Sequence, residues 1–464
     1  MRGETIDPLR PEPYARPARP SSVRGVPRPR VGVVLAAGRS ERLREVTGGG
    51  SKSLVKLGGL RLAERAILTL LSAGVERVVV VVGFHAGPVA AVAQRVAPGN
   101  VQVVEAPDWE EGNGASLCAA EEALGDEPSF LLVSADHVFS DAALTDLAEA
   151  GAPALLVDPA PDPAILDEAT KVRVDTDGRI LELGKHLPGP TTDCGAFLLP
   201  REVFDAARVE RAAGDGSLSA AVTQLGRDTP VMAVPLRTGA WWHDVDTPDD
   251  LRRAGRLLRR SLPRPGDGPV ARILNRRLSI PVSWLIARLR PSPDLLSVLS
   301  FLIGVAGAVF LALGEGVIGG VLVQACSVLD GVDGEVARLT LRAGPRGTLW
   351  DGFLDRLGDV SVCAGLGLWA LDAGHDSTVT VLWLVAATAG AVLSMATKDR
   401  VAALGLEPPS ERRIGWLLGG RDGRLLVVFL LAIFGEPMWA LAVTATTSLV
   451  SAALRVGFAR NPPP

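Results

Sequence analysis

From residue 293 onward the chain is built of apolar stretches, at residues 295–313, 317–329, 348–371, 378–396, 425–434 and 437–456, separated by short charged loops. A helix needs roughly 20 apolar residues to cross a bilayer, and within the hydrocarbon every backbone amide must find its partner inside the segment. Several stretches reach that length and the shorter ones extend through their flanks, which predicts about six transmembrane helices. The loops at 314–316, 372–376 and 435–437 contain no Lys or Arg. The alternate loops and both flanks carry Arg338, Arg342, Arg346, Lys398, Arg400, Arg412, Arg413, Arg421, Arg455 and Arg460. By the positive-inside bias this predicts a multi-pass protein of the cell membrane whose soluble N-terminal part and both termini lie in the cytoplasm.

Before residue 260 the pattern changes. Charges are spread throughout, as in a soluble α/β protein, and 464 residues leave room for two cores. The 48 basic side chains do not exceed the 52 acidic ones, and the net charge of −4 argues against a general nucleic-acid binder, which needs surplus cations to neutralise phosphates. Cys118, Cys194, Cys326 and Cys363 form no CxxC pair and no metal-ligand grouping with His, so they read as thiols in a reducing compartment. Residues 1–29 are rich in Pro and Arg, lack the apolar core of a signal peptide, and read as a solvated tail.

Residues 31–36 (VGVVLA) and 77–83 (RVVVVVG) are continuous apolar, β-rich runs, the signature of strands buried on both faces of a parallel sheet. Between them, residues 60–73 are apolar at helical spacing and stop at Gly74. Strand signals recur at 101–105 and 130–134, with a helix expected at 115–124 between them. This is the arithmetic of a Rossmann-like, doubly wound sheet. Residues 259–290 carry Arg259, Arg260, Arg264, Arg272, Arg276 and Arg277 among apolar residues; the part next to the first span suits a helix lying on an anionic membrane surface. The predicted organisation is a tail at 1–29, an α/β domain at 30–258, a basic linker and interfacial helix at 259–290, and an all-α membrane domain at 291–464.

Asp330, Asp333, Asp351 and Asp355 stand at the boundary between two apolar spans. Charge there is costly, and its default reading is function. The spacings put Asp330 with Asp333 on one helix face and Asp351 with Asp355 on another, and the glycine- and proline-bearing turn at 343–347 folds the two helices together. A set of carboxylates without Cys or His selects hard cations, Mg²⁺ or Mn²⁺. Two such ions would clamp a diphosphate under attack by a hydroxyl, leaving one carboxylate as general base. Gly334 and Gly347 allow a nucleotide close to the backbone, and Arg338 offers a cation to its phosphates. From spacing alone, an ion pathway or structural charge pairing stays open.

DGVDGEVAR, eight residues and then GTLWDGFLD resembles the signature of the CDP-alcohol phosphatidyltransferases, with every defining position filled: Asp330, Asp333, Gly334, Ala337, Arg338, Gly347, Asp351 and Asp355. The resemblance runs from residue 270 to the C-terminus. It implies that Asp330, Asp333 and Asp351 ligate two metal ions and that Asp355 is the base, close enough to be counted with the metal site. Lys398 and Arg400, ending an apolar span, are candidate acceptor-phosphate ligands, as are Arg412, Arg413 and Arg421 beyond them. Helix-end anchoring accounts for the same residues.

In the first half, LAAGRSERL at 35–43 places a glycine turn straight after a strand, where Leu35, Ala36, Gly38 and Arg39 can offer backbone amides and charge to phosphates, with Arg42 and Lys52 as cations within reach of a triphosphate. Joined to EGNGAS at 111–116, SAD at 134–136 and WWHDVDTP at 241–248, it resembles the nucleotidyltransferases that couple a nucleoside triphosphate to a sugar or polyol phosphate. That resemblance implies Mg²⁺ on Asp136 and Asp244, triphosphate on Arg42 and Lys52, and nucleotide contacts from Asn113, Gly114 and Ser116. Ser40, Ser51 and Ser53 stand where that family has a glycine and prolines. Asp246 reads as the cap of the helix opened by Thr247-Pro248-Asp249, and His137 and His243 as solvent-facing or supporting residues rather than metal ligands.

The fusion resembles the bifunctional inositol-1-phosphate cytidylyltransferase/di-myo-inositol phosphate phosphate synthases. Gly184-Lys185 and DCGAF at 193–197 look like that family's polyol-phosphate pocket, with Lys185 and Gly195 as substrate-binding residues. The resemblance implies CTP, inositol 1-phosphate and CDP-inositol as partners, a lipid bilayer around the second half, a homodimer through the membrane domain, and synthesis of a compatible solute. A phospholipid synthase using CDP-diacylglycerol and a membrane-tethered nucleotide sensor are the competing readings.

Overall fold

A computed structural model describes residues 28–460 except 40, 141–142, 152, 167, 265, 406–413 and 415–419, so the tail at 1–27 and the expected contributions of Ser40, Arg412 and Arg413 lie outside the described residues. The chain divides into two compact units, one ending at Leu257 and the next starting at Leu258.

The first unit is a nine-stranded mixed sheet. Its strands are β1 (Val31–Ala36), β4 (Arg77–Val82), β5 (Val101–Glu105), β6 (Ser129–Ser134), β8 (Ala154–Asp158), β9 (Lys171–Val174), β10 (Ile180–Gly184), β11 (Thr192–Pro200) and β12 (Met232–Pro235). Two small ribbons complete the strands: β2 (Lys56–Leu57) with β3 (Leu60–Arg61), and β7 (His137–Phe139) with β13 (Trp242–Asp244). The expected parallel core is present, with β1 between β4 and β6 and β5 beyond β4. Beyond β6 the sheet turns antiparallel through β11.

Alternation along the strands gives the sheet two apolar faces. Val31, Val33 and Leu35 pack with Leu117, Phe204 and Val222 from α3 (Asn113–Cys118), α4 (Val203–Ala212) and α5 (Leu218–Asp228). Val34 and Ala36 pack instead with Ile67, Leu70, Val89 and Ala93 from α1 (Leu62–Ser72) and α2 (Ala86–Val96). The helix expected at 115–124 is broken after Cys118, yet Leu117, Ala120 and Leu124 share one core, so the apolar period carries across the break. The strand order reverses at β1, with β4 and β5 on one side and β6 on the other, which in sheets of this kind puts the ligand crevice at the carboxyl end of that strand. The unit ends within α6 (Pro248–Arg260), which runs across the boundary at Leu257.

The second unit is helical. The short α7 (Arg276–Ile286) precedes α8 (Pro293–Ala312), α9 (Gly316–Leu339), α10 (Pro345–Asp372), α11 (Ser377–Ala403), α12 (Arg421–Ile433) and α13 (Pro437–Arg460). Four of these, α8, α9, α11 and α13, are long and apolar enough to cross a membrane, fewer than the expected six. The physical reason lies in the other two: α10 carries Arg346, Asp351, Asp355, Arg356 and Asp359, and α12 is described over only 13 residues. Small residues let the helices approach closely; a Cβ on Gly365 of α10 would fall 2.3 Å from the carbonyl oxygen of Ala308 on α8. The exposed leucines of α7 and the turn after it, Leu278, Leu285 and Leu289, fit the amphipathic reading of the linker.

Arg424 of α12 and Asp359 of α10 are both buried and bonded to each other. Without Arg424, Asp359 would keep, among the described residues, only the longer contact to Arg421 Nε at 3.5 Å. Arg424→Ala is therefore expected to destabilise the membrane unit by about 1–3 kcal/mol, seen as an early thermal transition in detergent, and an unchanged transition would show that the pair contributes nothing.

Candidate active sites

In the first unit the site is assembled by the β7–β13 ribbon. Pairing of His137 with Asp244, together with an amide bond from Val245 to the Asp136 carbonyl at 3.1 Å, sets the two expected metal aspartates side by side. Ligand atoms of Asp136, His137 and Asp244 lie within 4.8 Å of one another. His137 stacks on Trp242 with ring centroids 5.8 Å apart, and its Nδ1 is 2.8 Å from Asp136.

Lys52 reaches this cluster from a short turn after the glycine loop. Ser51 caps that turn by accepting the Ser53 amide at 3.3 Å, and both serines are buried, which fixes the backbone from which Lys52 projects. Lys52 Nζ pairs with Asp136 and, at 2.5 Å, with Asp246. Burial works against its charge, but Asp136, Asp244 and Asp246 outweigh burial and hold its pKa above that of an ordinary lysine.

Asp246 departs from expectation. The cap of α6 is Thr247, whose hydroxyl accepts the Asp250 amide at 3.2 Å while Asp250 accepts the Thr247 amide at 2.9 Å. Freed from capping, Asp246 faces the site, between Lys52 and Arg42, the latter 4.0 Å away. The sequence signal was the WWHDVDTP run itself, in which a second acid follows Asp244 by two residues. His243 and His137 are not solvent-facing: His243 is buried, and burial lowers its pKa.

For His137, burial favours the neutral ring, but Asp244 and Asp136 overcome it and raise the pKa to about 9. In the metal-free protein the imidazolium thus contributes stability in full below its ordinary value of 6.5, and this contribution is lost as pH rises through about 9. NMR titration of the His137 ring should give a midpoint near 9, shifted down when Mg²⁺ is added; a midpoint near 6.5 in both states would contradict the geometry.

The other expected contacts divide. Leu35 and Ala36 are buried in β1, and a Cβ on Gly38 would meet nothing within 4 Å, so glycine there leaves open space at the crevice rather than serving a strained turn. Arg39 lies over Trp109 and pairs with Glu110, and Arg42 pairs with Glu168 at 2.6 Å. Asn113 is exposed at the start of α3, whereas the Gly114 amide is bonded to Gly216 at 2.8 Å and the Ser116 hydroxyl to Gly112 at 3.2 Å. Those two therefore shape the loop. Gly195 has φ +71, and a Cβ there would fall 2.4 Å from the His137 ring, so glycine is required beside the site. Asp193, bonded to the Gly195 amide at 2.6 Å, is pushed up by burial to about 6. Lys185 is exposed, outside this cluster of contacts.

In the second unit α9 and α10, joined by the turn at 343–347, each pack on α8 rather than on one another, and their aspartates converge. Ligand atoms of Asp330, Asp351 and Asp355 lie within 4.8 Å of one another, while Asp333 is buried, bonded to Ser297 and to the Gly334 amide, and meets Asp351. All four carboxylates thus share one locality, three of them grouped tightly enough for one ion. An all-oxygen set of this charge fits a hard divalent cation. Arg421, expected as an acceptor-phosphate ligand or a helix-end anchor, opens α12 directly into the cluster, 2.7 Å from Asp330 and 3.0 Å from Asp355. Lys398 donates to the Gly266 carbonyl at 3.3 Å and Arg400 is exposed, so neither touches the aspartates. A Cβ on Gly347 would meet nothing within 4 Å, and Arg338 is bonded to the Leu262 carbonyl at 2.8 Å.

The MobA-like NTP transferase domain matches residues 32–234, and CDP-alcohol phosphatidyltransferase matches residues 291–414. Across nearly its whole length the chain is similar to the bifunctional IPC transferase and DIPP synthase of Rubrobacter xylanophilus, with 37% identity over 91% of this chain and 95% of the relative. A protein of the same description from Aquifex aeolicus is 31% identical over 90% of this chain and 95% of its own. The solved inositol-1-phosphate CTP transferase from T. maritima aligns with 26% identity over 50% of this chain and 95% of that chain, at a TM-score of 0.45.

Proposed function

This chain belongs to the family of bifunctional IPC transferases and DIPP synthases, and we propose that it makes and then consumes CDP-inositol. The first transfer joins CTP to inositol 1-phosphate, giving CDP-inositol and pyrophosphate. The second moves phosphoinositol from CDP-inositol to another inositol 1-phosphate, giving di-myo-inositol phosphate phosphate, a compatible solute, and CMP. The observation that carries this reading is the presence of two separate carboxylate clusters, one in each unit of a single chain.

In this reading residues 30–258 perform the first transfer. Asp136 and Asp244 would hold Mg²⁺, with Asp246 beside them, and the ion when bound neutralises phosphate charge. Lys52, whose charged form its carboxylate neighbours favour, binds the triphosphate, with Arg42 on the same side. Asn113 contacts the nucleotide, and Gly195 gives the polyol phosphate room beside His137, with Lys185 at the outer rim.

Residues 291–464 perform the second transfer, behind the interfacial linker at 259–290. Asp330, Asp333 and Asp351 would hold the divalent ions, Mg²⁺ or Mn²⁺, which polarise the donor's diphosphate when bound. Asp355 accepts the proton of the attacking hydroxyl. Gly334, Arg338 and Gly347 receive the nucleotide. Arg421 supplies positive charge at the point of transfer, and Lys398 and Arg400 line the approach of the acceptor. Both termini lie in the cytoplasm, and the membrane half pairs as a homodimer.

The test is purified protein with Mg²⁺, CTP and inositol 1-phosphate, followed by phosphorus NMR. Pyrophosphate, CMP and a water-soluble phosphodiester are expected together. Pyrophosphate without CMP would remove the second transfer, and neither product would remove the substrate assignment.

A further inference from the structure

The segment at residues 262–276 is bonded onto α9 beside the aspartates. Asp267 accepts the Arg264 amide at 3.0 Å and binds Arg276 through two nitrogens, at 2.8 and 3.1 Å. Arg276 in turn donates to Glu335 at 2.7 Å, and this buried carboxylate also accepts from Ser279 at 2.7 Å and Ser283 at 2.5 Å. At the other side Arg338 holds the Leu262 carbonyl. These bonds fix the backbone of Arg264 over the helical turn that follows Asp333.

Gly334 occupies that turn, and a Cβ built on it would lie 3.2 Å from Nη2 of Arg264 and 3.3 Å from Nη1 of Arg338. Two guanidinium groups therefore converge on one point, one residue from Asp333. The nearby carboxylate of Asp267 is already taken by Arg276. Among the described residues the Arg264 side chain makes no hydrogen bond or ion pair, and the Nε of Arg338 is buried with no partner. The two guanidinium groups repel each other, an effect that Asp267 and Glu335 offset only in part, and a donor diphosphate between them, with one negative charge on each phosphate, relieves it through charge-assisted bonds.

We propose that Arg264 is a donor-binding residue: with Arg338 it straddles Gly334 and grips the phosphates of the CDP-linked donor, so that the linker forms one wall of the site. This rests on the second transfer proposed above. A lipid head-group phosphate offers the same chemistry, and the experiment separates the two sources.

Full-length protein in detergent with Mg²⁺ would be compared with Arg264→Ala, Arg264→Lys and, as a control in the same linker, the exposed Arg260→Ala. Two quantities are read: the KM for CDP-inositol in CMP release, and CMP affinity by calorimetry. Arg264→Ala is expected to raise the first and weaken the second by about 10- to 100-fold, the Lys variant recovering part and the control matching wild type. Pyrophosphate release from CTP and the thermal transition report on folding. Unchanged CMP affinity in a folded Arg264→Ala protein overturns the proposal, as does unchanged CMP affinity with lost binding to anionic-lipid vesicles, which would assign the arginine to lipid. Should wild type release no CMP, the second transfer fails, while calorimetry still decides on Arg264.

Discussion

Asp355→Asn is expected to lower CMP release from CDP-inositol by about 10²- to 10⁴-fold while leaving pyrophosphate release from CTP in place. The substitution keeps the shape of the side chain and removes its capacity to take a proton. Asp355 also shares Arg421 with Asp330, so the asparagine leaves that arginine a remaining carboxylate partner and the helices stay packed. Separate assays of the two transfers on one preparation make the readout specific. A loss of less than about threefold would assign the proton to another group.

Lys52→Ala should have the mirror effect, cutting pyrophosphate release by about 10²- to 10³-fold with CMP release from supplied CDP-inositol preserved. Lys52 is the cation most deeply set in the first site, and the surrounding carboxylates favour its charged form. Without it, Asp136 and Asp246 face each other across a gap and the triphosphate loses a fixed positive charge as its bond to the leaving pyrophosphate breaks. Lys52→Arg, which keeps the charge on a longer, planar group, should restore part of the rate if charge is what matters. Equal activity in Lys52→Ala would move triphosphate binding to Arg42 and the loop amides.

Much of the architecture was legible because burial writes plain patterns. The runs at 31–36 and 77–83 coincide with β1 and β4, whose interiors are buried on both faces and therefore carry no polar side chain. The membrane aspartates were legible for the opposite reason, as charges where charge is expensive. Membrane span counting was less successful because α10 carries Asp351, Asp355, Arg356 and Asp359, and these charges dilute the apolar signal of the helix that holds them. Asp246 was misread because Thr247 and Asp246 are both good caps in sequence, and only the packing of the turn decides which one turns inward. Arg421 was indistinguishable from an anchoring arginine for the same reason: its sequence neighbourhood records the end of a helix, and its target lies on two others. The antiparallel extension of the sheet through β11 depends on long-range pairing, which local periodicity does not record.

The β7–β13 ribbon has a consequence in time. Asp136 and Asp244 come from distant parts of the first unit, and β13 is its last strand. Contacts of such high sequence separation form late, because the intervening chain must be ordered before they can close. During synthesis the crevice at β1 and its glycine loop can be folded while the acid pair is still incomplete, and the cytidylyl-transfer site comes into being only as the ribosome finishes this unit and the first membrane helix follows.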